Sequence, residues 1–305
     1  MTRLAKVTSF ISKTITTAVL GSLFLSPAGE VQAESATTKS EDQTISTAAL
    51  AGNPREGTRA GWKFSVGAGA LYAPAFAGSK DYQLMVFPDV KIAFKDLFFA
   101  SVKDGVGYNV IRSDGWRIGP VVKYKFERKE DGSNPFRVGG GNTTALKGLG
   151  TVDATFEWGG FAEYGFEPFA CKVELRQGMD GHKGMIGEAG INYAGAIERF
   201  GPPMFFAVGP RATIADSEYI NAYFGISQTQ SVRSGLARYN AGGGVVSYGF
   251  GGFMSIPLAK PFAVALFGGY DRLGNKVADS PLIGQRGSEN QFAIGLSVNY
   301  KFDMP

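Results

Sequence analysis

The 305-residue chain holds a single cysteine and a single histidine. Cys171 alone excludes an intramolecular disulfide and a cysteine-clustered zinc site, and His182 alone excludes a two-histidine metal centre. Charge of one sign is also scarce: 31 Lys and Arg against 27 Asp and Glu leave a formal +4. With no basic stripe, that balance lacks the electrostatic footprint of a nucleic-acid binder, and no nucleic-acid partner is expected. No stretch supplies the roughly twenty apolar residues of a membrane-spanning helix. At 44% apolar residues the chain is equally far from a disordered tail. Glycine is abundant instead, with 43 residues.

The first residues read as an address. Arg3, Lys6 and Lys13 precede the apolar run Ile15–Leu25, which breaks at Ser26-Pro27. Val31-Gln32-Ala33 before Glu34 matches a small-residue cleavage site. Residues 1–33 are therefore expected to be a secretory signal peptide of the Sec type. Residues 34–59 are polar and aperiodic and are expected to form a flexible periplasmic lead-in, leaving 60–305 as one domain.

From residue 60 the pattern has period two. Val152, Ala154, Phe156 and Trp158 alternate with Asp153 and Glu157, and Phe169, Cys171, Val173 and Leu175 with Lys172, Glu174 and Arg176. Phe292, Ile294, Leu296, Val298, Tyr300 and Phe302 alternate with Gln291, Ser297, Asn299 and Lys301. Such segments form strands with one apolar and one polar face. Their length matches the roughly nine to eleven residues of a tilted transmembrane strand. Aromatics at run ends (Trp62, Tyr72, Tyr124, Phe126, Tyr164, Tyr300, Phe302) suit interfacial girdles. The expected fold is all-β: a transmembrane antiparallel up-and-down β-barrel in a Gram-negative outer membrane, monomeric or weakly associating.

The raw segments are 61–72, 83–94, 97–103, 105–112, 115–128, 150–166, 168–178, 185–198, 203–213, 218–226, 244–256, 260–272 and 290–302. Bacterial barrels have an even strand number. The weakest division is Lys103-Asp104-Gly105, so 97–111 is merged as one bulged strand, giving twelve. With both ends periplasmic, that count sends connections 227–243 and 273–289 outward. It sends 129–149 and the His182 turn to the periplasm.

LYAPAFAGSKDYQLMVFPDVKIAF (71–94), IGPVVKYKFER (118–128) and LKGLGTVDATFEWGGFAEY (146–164) carry a family resemblance. So do YINAYFGISQTQSVRSGLARYNAGGG (219–244) and DSPLIGQRGSENQFAIGLSVNYKF (279–302). Together these blocks resemble the MltA-interacting protein (MipA)/OmpV family of outer-membrane proteins. The resemblance implies a non-enzymatic role, as a scaffold bringing a murein transglycosylase to a penicillin-binding protein. It also implies insertion by the barrel-assembly machinery, which reads the aromatic end of the last strand. Here Phe302 is followed by Asp303-Met304-Pro305, a departure from that ending.

No residue set supports catalysis, a cofactor or a metal. His182 lies in the turn-rich GMDGHKG and reads as a solvated turn residue. Glu157 and Glu163 share a lumenal face and are expected to pair with Lys123, Lys125, Lys172 or Arg176, because a charge out of water needs a partner. GGGN (139–142) and AGGGVVSYGFGG (241–252) lack the Lys-Ser/Thr ending of a phosphate loop and read as close strand packing. Cys171 should face lipid, and Leu71, Met85 and Phe87 on otherwise polar faces suggest a partly filled lumen. Two alternatives to the scaffold remain: a narrow channel for small solutes, and an adhesin acting through loops 227–243 and 273–289.

Overall fold

In the computed structural model, alternation along the chain becomes alternation between the outside and the inside of a barrel. The structure describes residues 61–304 apart from 200, 202 and 260; the expected signal peptide and lead-in lie outside the described residues. The first strands are β1 (Trp62–Pro74), β2 (Tyr82–Phe94), β3 (Phe98–Ser101), β4 (Gly105–Tyr108), β5 (Ile111–Ser113) and β6 (Trp116–Lys125). There follow β7 (Arg137–Gly139), β8 (Thr155–Phe166), β9 (Phe169–Gly178), β10 (Met185–Ile197) and β11 (Met204–Ala215). Helices α1 (Ser217–Phe224) and α2 (Gln228–Ser234) lead to β12 (Gly244–Pro257) and β13 (Phe262–Leu273). Helices α3 (Asn275–Ala278) and α4 (Pro281–Arg286) precede β14 (Asn290–Met304).

Neighbouring strands pair antiparallel, and β1 pairs with both β2 and β14, which closes the sheet. β4 and β5 are two halves of one bulged strand along β6, while β7 pairs only with β2 beside the wall. The wall is a closed antiparallel barrel of twelve strands. Closure is what hydrocarbon demands, since lipid cannot satisfy an open strand edge. Among the described residues no helix is long and apolar enough to cross a membrane.

The side-chain distribution is that of a membrane barrel. Along β14, Gln291, Ala293, Ser297 and Asn299 are at most 3% exposed, whereas Phe292, Ile294, Leu296, Val298 and Tyr300 between them are 44–54% exposed. A soluble barrel would bury the second set. At the end carrying both termini an aromatic belt runs along the rim: Trp62–Phe94 with ring centroids 4.7 Å apart, Phe64–Phe302 at 5.2 Å, Trp116–Tyr164 at 4.6 Å and Phe262–Tyr300 at 5.3 Å. Inside, Phe87 lies flat on Gly69, Phe267 on Gly295 and Phe99 on Gly107; a Cβ at any of these glycines would overlap the ring. Glycine on the wall thus makes room for lumenal aromatics.

Twelve is the expected strand number, but two assignments behind it differ. Residues 97–111 do not form one strand: β3 and β4 are a four-residue-armed hairpin whose tip, 102–104, stops halfway up the wall. The segment that is not a strand is 218–226, which holds α1. Its buried residues Tyr219, Ile220, Tyr223 and Phe224 follow helical spacing, and Asp216 caps it by accepting from the Tyr219 N–H at 2.9 Å. The end of the chain also differs from expectation. Asp303 and Met304 continue β14, opposite Lys63 and Trp62 of β1, so the residues after Phe302 lengthen the last strand.

These changes relocate a loop. Connections 95–97, 114–115, 167–168, 198–203 and 258–261 lie at the end with the termini and are short. Connections 75–81, 126–154, 179–184, 216–243 and 274–289 lie at the other end, and all but 179–184 and 75–81 are long. Short turns mark the periplasmic side and long loops the outside. The segment 129–149 and the His182 turn therefore face outward, the reverse of the periplasmic placement expected from merging 97–111. Lys147→Cys in a Cys171→Ser background should react with a membrane-impermeant maleimide on intact cells. Glu198→Cys should react only after the outer membrane is permeabilised, and the opposite pattern would overturn this orientation.

Candidate functional site

The outward loops do not stand free. Phe76, Leu146, Leu149, Ile220, Phe224, Leu236, Leu273, Val277, Leu282 and Ile283 form one buried apolar cluster that roofs the barrel. Burial of that many large apolar side chains, each contributing about 1.5–3 kcal/mol, holds the loops down. Polar ties register the pieces. Arg286 Nη1 donates to the Ala145 and Lys147 carbonyls at 3.0 Å each, Gln230 Nε2 to the Leu149 carbonyl at 2.6 Å, and Ser280 Oγ to the Phe224 carbonyl at 2.6 Å. Asp216 also accepts from the Met185 N–H at 2.8 Å, fixing α1 to the top of β10. Loops 227–243 and 273–289, expected to face outward, supply Leu236 and Ala241, and Val277, Leu282 and Ile283, to this roof.

Beneath the roof lies a charged cluster. β9 turns Arg176 inward, where its Nε donates to Glu157 Oε2 at 2.8 Å and its Nη2 to Glu188 Oε1 at 3.1 Å. Nη1 meets Glu174 and reaches Glu188 Oε2 at 3.2 Å. One guanidinium therefore holds three carboxylates from three adjacent strands, a geometry its planar fork suits and an ammonium does not. Lys123 Nζ stands 2.6 Å from Glu174, Lys172 3.2 Å from Glu174, and Lys125 3.9 Å from Glu157. Pairing of Glu157 with Arg176 and Lys125 follows the sequence expectation; Glu163 instead pairs with Arg117, lower in the lumen. Across the barrel, Arg211 Nε donates to Asp271 Oδ1 at 2.9 Å.

His182 is not a solvated turn residue. It is buried, with Nε2 2.8 Å from Glu157 Oε1 and its ring edge-on to Tyr219 at 4.8 Å. The glycines of GMDGHKG let the turn fold back so that the imidazole enters the lumen: a Cβ at Gly178 or Gly181 would overlap the His182 or Asp153 backbone. Lys125 Nζ lies 4.4 and 4.5 Å from the ring centroids of Tyr219 and Tyr223 and donates to the Tyr219 hydroxyl. His182, Tyr219, Tyr223 and Lys125 thus couple wall to roof. A strand over 218–226 does not single out the two tyrosines; the helical spacing 219, 220, 223, 224 is the sequence signal that does.

Between roof and cluster lies a cavity of about 240 Å³, bordered by Phe76, Tyr223 and Phe224 above and Lys172, Glu174 and Glu188 below. Under it the lumen is filled by Phe87 against Phe267 (6.2 Å) and Phe99 edge-on to Phe161 (5.6 Å), as Phe87 on a polar face had suggested. By the alternation of β9, Cys171 lies on the outer face with Phe169 and Val173, and it is half-buried.

A closed antiparallel wall, apolar outside, with its charges paired inside, defines an outer-membrane β-barrel protein. The family described as MltA-interacting protein MipA matches residues 66–302, and the chain belongs to it. Over 115 residues it is 30% identical to outer membrane protein Omp26La of Vibrio anguillarum, covering 38% of this chain and 42% of that protein. It is 34% identical to outer membrane protein OmpV of Vibrio cholerae over 86 residues, covering 28% and 32%. To the putative outer membrane protein YiaT of Escherichia coli K12 it is 29% identical over 122 residues, covering 40% and 47%. The matches thus span less than half of each relative. Among solved structures, a NanC porin is similar over 78% of this chain and 100% of its own, with 9% identity and a TM-score of 0.40.

Two outcomes follow from the cluster. Arg176→Met should cost about 3–5 kcal/mol, the cost of leaving buried charges without a partner. The readout is the heat-modified gel shift of the refolded barrel, and adding Glu188→Gln should restore part of the loss. An unshifted transition in Arg176→Met would contradict the cluster's role. The second concerns Tyr223, whose buried hydroxyl finds no partner and whose pKa burial pushes up from 10.0 to about 12. The folded state then holds a proton that the unfolded state loses first. This contribution is intact below about pH 10 and disappears as pH rises to about 12. Tyr223→Phe should accordingly unfold at higher pH than the parent, followed by the same gel shift.

Proposed function

We propose that this outer-membrane barrel works by presenting a surface, with no solute passage and no chemistry of its own. It serves as a scaffold that holds a murein transglycosylase, and through it a penicillin-binding protein, at the inner face of the outer membrane. The observation that carries the reading is the occluded lumen. A porin keeps a wetted path; here paired charges, phenylalanines packed against one another and an apolar roof lie within the lumen. The family name, MltA-interacting protein, supplies the partner class. The Glu157, Arg176 and His182 group is read as an ion-pair lock, in which the Glu157 carboxylate is occupied by Arg176 and His182.

Because 129–149 faces outward, the partner surface falls to the short periplasmic turns and to residues 34–59. Immobilised mature protein should retain a purified lytic transglycosylase, and deletion of 34–59 should reduce that retention with the barrel still folded. In planar bilayers the protein should give no steady ohmic conductance. Transglycosylase retention no greater than on an unrelated barrel, or a stable open channel, would overturn the proposal. The barrel-assembly machinery is the proposed insertion partner, reading β14.

A further inference from the structure

The barrel wall has a notch. β3 pairs only with Lys91–Phe94 of β2, and β4 only with Val121 and Val122 of β6, so above the 102–104 tip no strand joins β2 to β6. The edge that β2 turns toward this gap carries alternate residues 86, 88 and 90. The Val86 N–H donates to the Phe136 carbonyl at 2.9 Å, and the Val90 carbonyl accepts from Val102 at 3.2 Å. Between them stands Pro88, which has no N–H to leave unsatisfied. A loop covers the gap in place of strands, and its ties to β2 are sparse. Besides the Val86–Phe136 bond they include the short β7 pairing at Leu84 and Met85, Asn134 Nδ2 to Met85 Sδ at 3.2 Å, and Gln83 Nε2 to the Gly132 and Gly141 carbonyls at 3.4 and 3.3 Å.

Behind this loop lies the cavity. Glu127 and Pro135, on the loop that covers the gap, line it and are also exposed at the surface, while the loop roof lies above it. Its two sides differ in chemistry. Met85, Phe126 and Phe136 border it beside the covering loop, Lys103 borders it at the lower edge of the notch, and Lys123, Lys172 and Arg211 border it from β6, β9 and β11. Acidic partners engage Lys123, Lys172 and Arg211, but Lys103 has no carboxylate within ion-pair distance among the described residues, and neighbouring Asp104 is held by Ser101. A volume of about 240 Å³ suits a headgroup and a few methylenes, not a whole lipid.

We propose that the notch between β2 and β6 is a side entrance through which a single-chain anionic amphiphile from the outer leaflet seats its headgroup at Lys103, its chain resting between Met85, Phe126 and Phe136. The ligand class follows from the chemistry: an anion alone would leave the apolar side uncovered, and an uncharged chain would leave Lys103 without a partner. This site is independent of the scaffold reading and survives if that reading fails.

The test uses the mature protein refolded in a zwitterionic micelle and titrated with dansyl-undecanoate. Saturable, blue-shifted fluorescence is expected, weakened about tenfold in Lys103→Gln, the effect of losing one charge-assisted hydrogen bond. An uncharged dansyl-undecyl amide should bind at least about tenfold more weakly to the parent protein, for the same reason. Should Lys103→Gln fail to fold, a Leu84→Cys/Gly139→Cys pair in a Cys171→Ser background gives a second reading, since these register partners would place their Cβ atoms about 3.5 Å apart and neither lines the cavity. Its oxidised form, with the loop tied to β2, should lose binding that reduction restores. Equal affinity for charged and uncharged probes overturns the proposal, and so does insensitivity to both variants. Competition by butyrate or inorganic phosphate at the probe's own concentration also overturns it, by making the site one for a soluble anion.

Discussion

Every feature of this protein answers to one constraint: a backbone amide in hydrocarbon must find its partner within the protein. Antiparallel pairing of β1 with both β2 and β14 meets it around the circumference. Once the ring is closed, the faces are fixed. Phe292, Ile294 and Leu296 meet lipid because Gln291, Ala293 and Gly295 must meet the interior. The interior then receives charges that lipid could not tolerate, and they settle as a cross-strand cluster centred on Arg176.

The constraint also explains the exception. Where β3 and β4 stop short, the protein places a residue without an N–H, Pro88, and lays the 126–139 loop across the opening. A full-length hairpin there would have made a uniform wall. The shortened one leaves a patch of wall maintained by a few side-chain and loop contacts, directly beside the one deep cavity described.

What the sequence made legible was whatever has period two. β8, β9 and β14 were readable because Glu157, Glu174 and Gln291 alternate with large apolar neighbours, and the Glu157–Arg176 pairing followed from their shared face. The short helices were hidden. In SEYINAYF, aromatic and aliphatic residues fall on both odd and even positions, which suits a strand buried on both faces as well as a helix of two turns, and as α1 they pack into the roof with Leu146 and Val277. The position of His182 was out of reach for a different reason. A glycine-rich turn is usually wet, and only the close approach of Gly178 and Gly181 to neighbouring backbone brings the imidazole to Glu157. The error in loop sidedness began with merging 97–111, since each strand reverses the connections after it, and ended at 218–226, where a helix counted as a strand restored the parity.

The register of β1 against β14 sets the order of assembly. Trp62 lies opposite Met304, so the first stave of the ring acquires its second neighbour only when the very last residues have arrived. Ribosome and export channel deliver the other end first, and β1 must wait with one flank open through the whole of translocation. Closing the ring thus joins the first strand of the barrel to its last, the long-range kind of contact that forms slowest. A product truncated within β14 would be left as a curled sheet with two raw margins, a substrate for proteases rather than a weaker version of the finished barrel.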